Sequence, residues 1–196
     1  MKVLYAALWQ KFVILLPVLA TARTTSLCPN GCRCYGGFPA TSLTVDCQRN
    51  VNVSAEQLSQ QLDSLLSSNL TYGHLSSLTL ANSPLTNVPR SVCRLTTLTQ
   101  LNLDHNQLTR LPDNCFSNLT ALTVFSASDN SITELHDGLF DGLRKLQTLK
   151  LGHNHISSIG LRLFNKSANL ISLETVGLKY NRIQTLEPWP MYLGLN

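Results

Sequence analysis

Residues 98–112, LTQLNLDHNQLTRLP, place a polar side chain within a regular series of leucines. Leu101, Leu103 and Leu108 are spaced as buried positions, and Asn106 stands among them. A buried amide without hydrogen-bond partners destabilises a fold by roughly 1–3 kcal/mol. If the arrangement recurs along the chain, each copy must give its asparagine partners, and the recurrence itself defines the fold.

The stretch does recur, in an 11-residue pattern of the form Leu-x2-Leu-x-Leu-x2-Asn-x-Leu. Five copies, numbered here as units 1 to 5, begin at Leu75, Leu98, Leu122, Leu146 and Leu173. The steps between them are 23, 24, 24 and 27 residues. A near-constant period of this length is typical of a stacked repeat, in which no single unit can bury its own core.

One position of the pattern holds an asparagine in every unit except the first. Units 2 to 5 have Asn106, Asn130, Asn154 and Asn181. At this point the chain turns out of a strand, and its backbone groups need partners. An Asn amide has two donors and one acceptor, so we expect it to bond both its own turn and the neighbouring unit. Unit 1 has Ser83 instead and is expected to be less regular.

The pattern resembles the leucine-rich repeat, and the resemblance covers about 75–190. It implies an α/β solenoid with the shape of a horseshoe. Each unit is expected to form a short strand, for example near 100–103 and 148–151, followed by an irregular return. The strands would stack into a parallel sheet on the concave side, with the leucines of all units in one continuous core.

Four cysteines lie close together before the first unit, in CPNGCRCYGGFPATSLTVDC (28–47). In a secreted chain such a cluster indicates disulfides, although a zinc site is the alternative. The cluster resembles the N-terminal cap of extracellular leucine-rich-repeat proteins such as Slit, the Nogo receptor, Toll-like receptors and the small leucine-rich proteoglycans. That resemblance implies the pairs Cys28–Cys34 and Cys32–Cys47.

A helix is predicted for 54–68, SAEQLSQQLDSLLSS, between the cysteines and unit 1. Ser54 is placed as an N-cap, with Gln57 at the capping-box position. One face of the helix would be apolar, formed by Leu58, Leu62, Leu65 and Leu66. We therefore expect the helix to belong to the cap and to cover the first unit.

The first residues resemble a secretory signal. Lys2 and Lys11 accompany the short apolar run FVILLPVLA (12–20), and small residues follow at 20–22. Nine apolar residues are too few to span a bilayer, which favours a cleaved signal over a membrane anchor. No later segment is apolar enough to span a membrane. The predicted division is a signal peptide (1–22), a cap (23–74) and five repeats (75–196).

Four glycosylation sequons, at Asn52, Asn69, Asn118 and Asn165, agree with the secretory route. We expect the protein to be secreted, or to stand on the cell surface if it is part of a longer chain. Asn118 and Asn165 are expected on the convex return, and the other two in the cap. None falls on a predicted strand, so glycans would leave the concave side open.

The predicted ligand site is the outward face of the sheet, at positions 3, 5 and 8 of each unit, with two charged residues at its edge. We assign to it Gln100, Asn102, Asp104, His105, Asp129, Lys150, His153, Lys179 and Tyr180. The face is polar and of mixed charge, which favours a protein partner bound through hydrogen bonds over nucleic acid or heparin-like glycans. His105, Asp129 and His153 occupy one position in consecutive units. They are either a metal or pH-sensitive site or, as we favour, three solvated residues.

No catalytic signature occurs: there is no Gly-x-Ser-x-Gly, His-Glu-x2-His or phosphate-binding glycine loop. We therefore expect neither enzyme activity nor a cofactor nor a metal. The predicted function is extracellular recognition of a protein, as the N-terminal part of a receptor or adhesion protein. The alternative is a matrix protein of the proteoglycan type, which a Ser-Gly site would favour; the sequence has no Ser-Gly dipeptide.

Two features at the ends of the array remain. Cys93 and Cys115 lie on consecutive returns, and we expect buried free thiols there more than a bridge between units, because the shortened unit 1 makes their alignment uncertain. Unit 5 is not followed by a second cysteine cluster before Asn196. Its apolar end is expected to continue in a longer protein or to pair with another chain, unless EPWPMYL (187–193) covers it.

Overall fold

The computed structural model describes residues 28–36, 42–48, 54–67, 74–164 and 170–184. The predicted signal peptide, the sequons at Asn52, Asn69 and Asn165, and the segment 185–196 lie outside these residues. For 65–67 and residue 74 only the backbone is described.

A solenoid built on one parallel sheet is the architecture of the chain, as the repeat pattern predicts. In chain order the elements are β1 (Arg33–Gly36), β2 (Ser42–Asp46), α1 (Ala55–Ser67), β3 (His74–Thr79), β4 (Gln100–Asn102), β5 (Val124–Ser126), β6 (Glu134–Leu135), β7 (Thr148–Lys150), β8 (Ser158–Ile159) and β9 (Thr175–Gly177). Two 3-10 helices, Arg90–Arg94 and Phe116–Asn118, lie on the returns of units 1 and 2.

Within the described ranges, seven strands form the main sheet, in the order β1-β2-β3-β4-β5-β7-β9. β1 and β2 are antiparallel, and every later pair is parallel. In units 2 to 5 each strand covers only positions 3 to 5, and its middle residue points into the core, whereas β3 of unit 1 is six residues long. A second sheet, on the returns, consists of the parallel pair β6 and β8.

The core runs through all the units without interruption. Leucines fill most of it, and unit 3 places Phe125 where the other units have an aliphatic residue at the centre of the strand. Phe125 contacts Phe116 and Phe140, with ring centroids 5.0 and 5.7 Å away. These aromatic rings pack against one another in the core and join units 2 and 3.

The cap joins the repeats in two ways. β2 extends the repeat sheet by pairing with β3, so the cap and the repeats share one set of backbone hydrogen bonds. The disulfides implied by the family resemblance are both present, Cys28–Cys34 and Cys32–Cys47. All six cysteines are bonded, so no thiolate is left for zinc.

The predicted helix is confirmed and begins with the predicted capping box. The Ser54 amide donates to Gln57 Oε1 at 3.1 Å, and the Gln57 amide donates to Ser54 Oγ at 3.2 Å. Leu58 and Leu62 are buried against unit 1. The helix contacts the first 3-10 helix, where Asp63 forms an ion pair with Arg94.

The expectation of free thiols at Cys93 and Cys115 is wrong, because the two residues form a third disulfide. Their Cα atoms are 4.6 Å apart. Cys93 lies within the first 3-10 helix, and Cys115 immediately precedes the second. These short helices pack against each other on neighbouring returns, and this packing sets the two cysteines opposite one another.

Candidate ligand-binding face

Two rows of outward-facing side chains run across the sheet. The register of the strands places Tyr35, Thr44, Ser77, Gln100, Val124, Thr148 and Thr175 in one row. The second row is Arg33, Asp46, Thr79, Asn102, Ser126, Lys150 and Gly177. We call these two rows the concave face. It is continuous over seven strands and is polar throughout most of its length.

The cap contributes to this face, which the repeat pattern did not predict. Arg33 and Tyr35 of β1 stand opposite Asp46 and Thr44 of β2, and Tyr35 is 52% exposed. Apolar and polar residues alternate in SLTVD (42–46), which is typical of a strand with one buried face, and Val45 is fully buried. This alternation was missed because the repeat motif begins only at Leu75.

The asparagines at the ends of the strands hold the turns in place. The Asn106 amide nitrogen donates to the carbonyls of Leu80 and Leu103, both at 2.9 Å, and Asn106 Oδ1 accepts from the Leu85 amide at 3.3 Å. Leu80 and Leu85 belong to unit 1, whereas Leu103 belongs to the asparagine's own unit. The amide thus joins consecutive units.

The same contacts recur at Asn130, Asn154 and Asn181. In unit 1, Ser83 Oγ makes longer bonds, at 3.4 Å, to the Cys47 and Ala81 carbonyls.

The residue before each asparagine position has a left-handed backbone. Its φ is between 53° and 59° in all five units, at Asn82, His105, Asp129, His153 and Tyr180. Asn, Asp and His tolerate this conformation better than other side chains with a Cβ atom. The recurrence of these residue types therefore has a structural cause, and Tyr180 is the exception.

The supposed column of His105, Asp129 and His153 divides into two pairs. His105 Nδ1 lies 3.8 Å from Asp129 Oδ2, and both side chains are more than a third exposed. The His153 ring stacks instead on Tyr180, with centroids 4.3 Å apart. Among the described residues, no group of three or more His, Cys, Asp or Glu side chains could hold a metal ion.

Two of the predicted ligand residues are used within the fold. Asp104 Oδ1 accepts hydrogen bonds from Ser126 Oγ and from the Ser128 amide, both at 2.7 Å. Asn102 Oδ1 accepts from the Asp104 amide at 2.8 Å. Asp104 thus connects units 2 and 3, whereas Asn102 holds the turn of its own unit.

The remaining predicted ligand residues project into solvent. Gln100, Lys150 and Lys179 are exposed, and Tyr180 is 73% exposed. A shallow depression at the centre of the concave face is lined by Gln100, Asn102 and Val124 together with neighbours in units 1 to 4. The exposed Asn118 lies outside this face, at the end of the second 3-10 helix.

A second, larger groove lies between α1 and the returns. It is lined by Glu56, Arg90, Arg110, Glu134 and His136, with His136 Nε2 3.2 Å from Glu134 Oε1. Its lining has the carboxylates of Glu56, Asp113 and Glu134 beside two arginines and one histidine, and nothing in the sequence pattern had indicated this groove. In the part of the chain that the structure describes, no helix is both long enough and apolar enough to cross a bilayer.

Comparison with known proteins gives one family and two informative solved structures. The family model described as "Leucine rich repeat" matches residues 73–132 and 126–174. The structure of the Toll–Spatzle complex of Drosophila is similar at 28% identity and a TM-score of 0.54, over 60% of this chain. The TLR13–ssRNA13 complex is similar at 27% identity and a TM-score of 0.57, over 78% of this chain.

The chain spans only 16% of the first of these proteins and 19% of the second. Among curated proteins the comparison finds no match.

Proposed function

Because this chain belongs to the leucine-rich-repeat family, we propose that its concave face binds a protein ligand outside the cell. The observation that carries this proposal is the pair of polar rows, which continues from the cap across every repeat strand. Such a surface offers many hydrogen-bonding groups on a backbone that does not need to rearrange. Preorganisation of this kind lowers the entropy that is lost on binding.

The internal bonds of the face support the same proposal. Asp104 and the asparagines hold consecutive turns together, so Gln100, Lys150 and Tyr180 are presented from a rigid base. Two tyrosines of the described part of the chain, Tyr35 and Tyr180, stand at opposite ends of the sheet. Tyrosine is enriched at the energetic centres of protein interfaces.

A protein is favoured over nucleic acid by the charge of the face. Asp46, Asp104 and Asp129 lie on or beside the two rows, and carboxylates repel a phosphate backbone. One similar structure, Toll, is a complex with Spatzle, whereas the other, TLR13, holds a single-stranded RNA. For the present chain, the acidic residues favour a protein ligand over a nucleic acid.

We further propose that the protein works on the secretory side of the membrane, either secreted or as the ectodomain of a receptor or adhesion protein. Three disulfides are stable in an oxidising compartment and rare in the cytosol. Binding, and not catalysis, is the activity that a rigid polar sheet of this type serves. We propose no matrix-organising role, since no feature of the described residues favours one.

The test is a binding screen of the secreted protein against a panel of extracellular domains, with two matched tryptophan variants. Thr148→Trp puts a large side chain on the concave face, in the sixth of its seven strands, and Thr133→Trp puts the same side chain on an exposed return. For a ligand found with the wild type, we expect Thr148→Trp to weaken binding at least about tenfold, which is about 1.4 kcal/mol. Thr133→Trp should bind like the wild type.

Thermal melting of both variants checks that they fold. A ligand that binds Thr148→Trp as tightly as the wild type would contradict the concave site.

A further inference from the structure

We infer that the edge of units 4 and 5 binds a short acidic segment of the protein ligand, an inference that rests on the proposed binding function. We call this surface the basic edge. It consists of Lys150, His153, His155, Lys179, Tyr180 and Arg182, all of which are exposed.

The charge of the turns changes sharply along the array. From position 5 to position 10, units 4 and 5 read KLGHNH (150–155) and GLKYNR (177–182), with three Lys or Arg residues and no carboxylate. The same positions in units 2 and 3 read NLDHNQ (102–107) and SASDNS (126–131), with two aspartates and no Lys or Arg. Similar charges are thus gathered on neighbouring turns, and the positive field of the basic edge favours an anionic group.

Tyr180 gives an independent reason to regard this edge as a binding surface. A bulky residue rarely adopts a positive φ, yet Tyr180 has a φ of 59°. It is also 73% exposed, so burial does not offset the conformational cost. The repeat turn imposes this φ at the same position of every unit, so the unusual feature is the choice of an exposed tyrosine there. Stacked on His153, the tyrosine ring presents a flat surface beside Lys179.

The backbone of the basic edge is held rigid. The His153 amide donates to the Lys179 carbonyl at 2.9 Å, and the Arg182 amide donates to the Ile156 carbonyl at 2.9 Å. Asn181 adds a side-chain bond from the Ile156 amide to its Oδ1, at 3.0 Å. The charged side chains of units 4 and 5 therefore extend from turns whose relative positions are fixed.

The neighbouring aspartates limit the length of the anion. Asp129 lies one unit before the basic edge and Asp104 lies two units before it, and adjacent strands are about 4.8 Å apart. A long polyanion such as heparin or RNA would have to pass over these carboxylates or leave the sheet. A protein segment with about three or four acidic residues fits the basic edge alone, and its flanking residues can be neutral or basic.

The probes for the test are three molecules measured against the whole secreted chain. They are a 12-residue peptide with three central glutamates and otherwise neutral residues, the same peptide with glutamines, and a heparin octasaccharide. We expect the glutamate peptide to bind and the glutamine peptide to bind at least several-fold more weakly. Raising the salt concentration should weaken the binding of the glutamate peptide more than the binding of the glutamine peptide.

Charge-reversal variants locate the site. The double variant Lys150→Glu/Lys179→Glu should weaken binding of the glutamate peptide roughly tenfold. The matched control is Arg144→Glu/Lys145→Glu, which makes the same change in net charge at exposed residues outside the basic edge and should leave binding unchanged. Tyr180→Asn, which copies Asn82 of unit 1, should weaken peptide binding several-fold without lowering the melting temperature.

Several results would overturn the inference. They are equal binding of the two peptides, no binding of either, equal effects of the two double variants, or heparin binding more tightly than the glutamate peptide. The last result would identify a polyanion site instead. None of these outcomes affects the steric test at Thr148. If Thr148→Trp blocks a ligand whose binding the glutamate peptide does not compete with, the concave site is supported and only the acidic segment is rejected.

Discussion

A single buried asparagine serves several backbone groups at once. The amide nitrogen of Asn130 donates to the carbonyls of Leu103, Ala127 and Ser128 at 3.0–3.2 Å, and its Oδ1 accepts from the Leu108 amide at 3.0 Å. No aliphatic side chain of similar volume can replace these bonds. The polar residue within the leucine series is therefore a requirement of the fold and has no need of a ligand to explain it.

We expect Asn130→Leu to lower the free energy of unfolding by about 1–3 kcal/mol, because the Leu108 amide is left buried without a partner. Urea denaturation followed by circular dichroism measures the loss. The control is Gln107→Leu, at an exposed position on the turn of unit 2, which should change stability by less than about 0.5 kcal/mol. Similar losses in the two variants would contradict the bridging role of the asparagine.

The roles of individual residues were predictable where a pattern repeats and not elsewhere. The asparagines recur, so their function could be argued from their spacing. The inclusion of Tyr35 and Asp46 in the face depends on the pairing of β1 with β2 and of β2 with β3, and the second pairing contains an irregularity between Leu43 and Thr44 that has no counterpart in the repeats. The internal bonds of Asp104 depend on two serines of the next unit, a distance that spacing alone does not give.

At the scale of elements, the returns are as important as the strands. The periodic leucines predicted the strands to within about a residue, since one face of each strand must be buried. The 3-10 helices on the returns have no comparable period, and unit 1 is one residue shorter than unit 2. That offset is why Cys93 and Cys115 could not be aligned from the sequence, although the packed helices bring them into contact.

Removal of this disulfide should destabilise the protein substantially. We expect Cys93→Ala/Cys115→Ala to lower the free energy of unfolding by about 3 kcal/mol, since the bond closes a loop with a sequence separation of 22. Cys28→Ala/Cys34→Ala, which opens a loop with a separation of 6, should cost less, about 2 kcal/mol. Guanidinium denaturation without reductant measures both, and peptide mapping that finds free thiols at 93 and 115 would refute the bond.

At the scale of the whole molecule, stability depends on contacts between neighbours. Each unit contacts mainly the units before and after it, so the first unit needs a cover. That cover is α1, whose Leu58 and Leu62 are buried and whose Ser59 Oγ lies 3.2 Å from Ser91 Oγ on the first return. A substitution that destabilises the cap should therefore lower the local stability of unit 1 most, and its effect should decrease from unit to unit along the array.

We expect Leu62→Ala to reduce the free energy of unfolding by about 2–4 kcal/mol, because it leaves a cavity beneath the helix. In hydrogen exchange, amides of β3 should lose protection strongly and those of β7 should change little. Gln60→Ala, on the exposed side of the same helix, is the control and should alter neither region. A uniform loss of protection from β3 to β7 would mean that the array unfolds as one unit and would reject the neighbour model.

The third disulfide also determines which part of the chain can extend under a pulling force. When the two ends are pulled apart, force crosses directly from Cys93 to Cys115 and bypasses the segment between them. That segment contains β4 and the leucines of unit 2, and it hides about 75 Å of contour length from the applied force. The described residues of units 3 to 5 contain no disulfide. Under an applied force these units would therefore unfold while the segment between Cys93 and Cys115 could not extend.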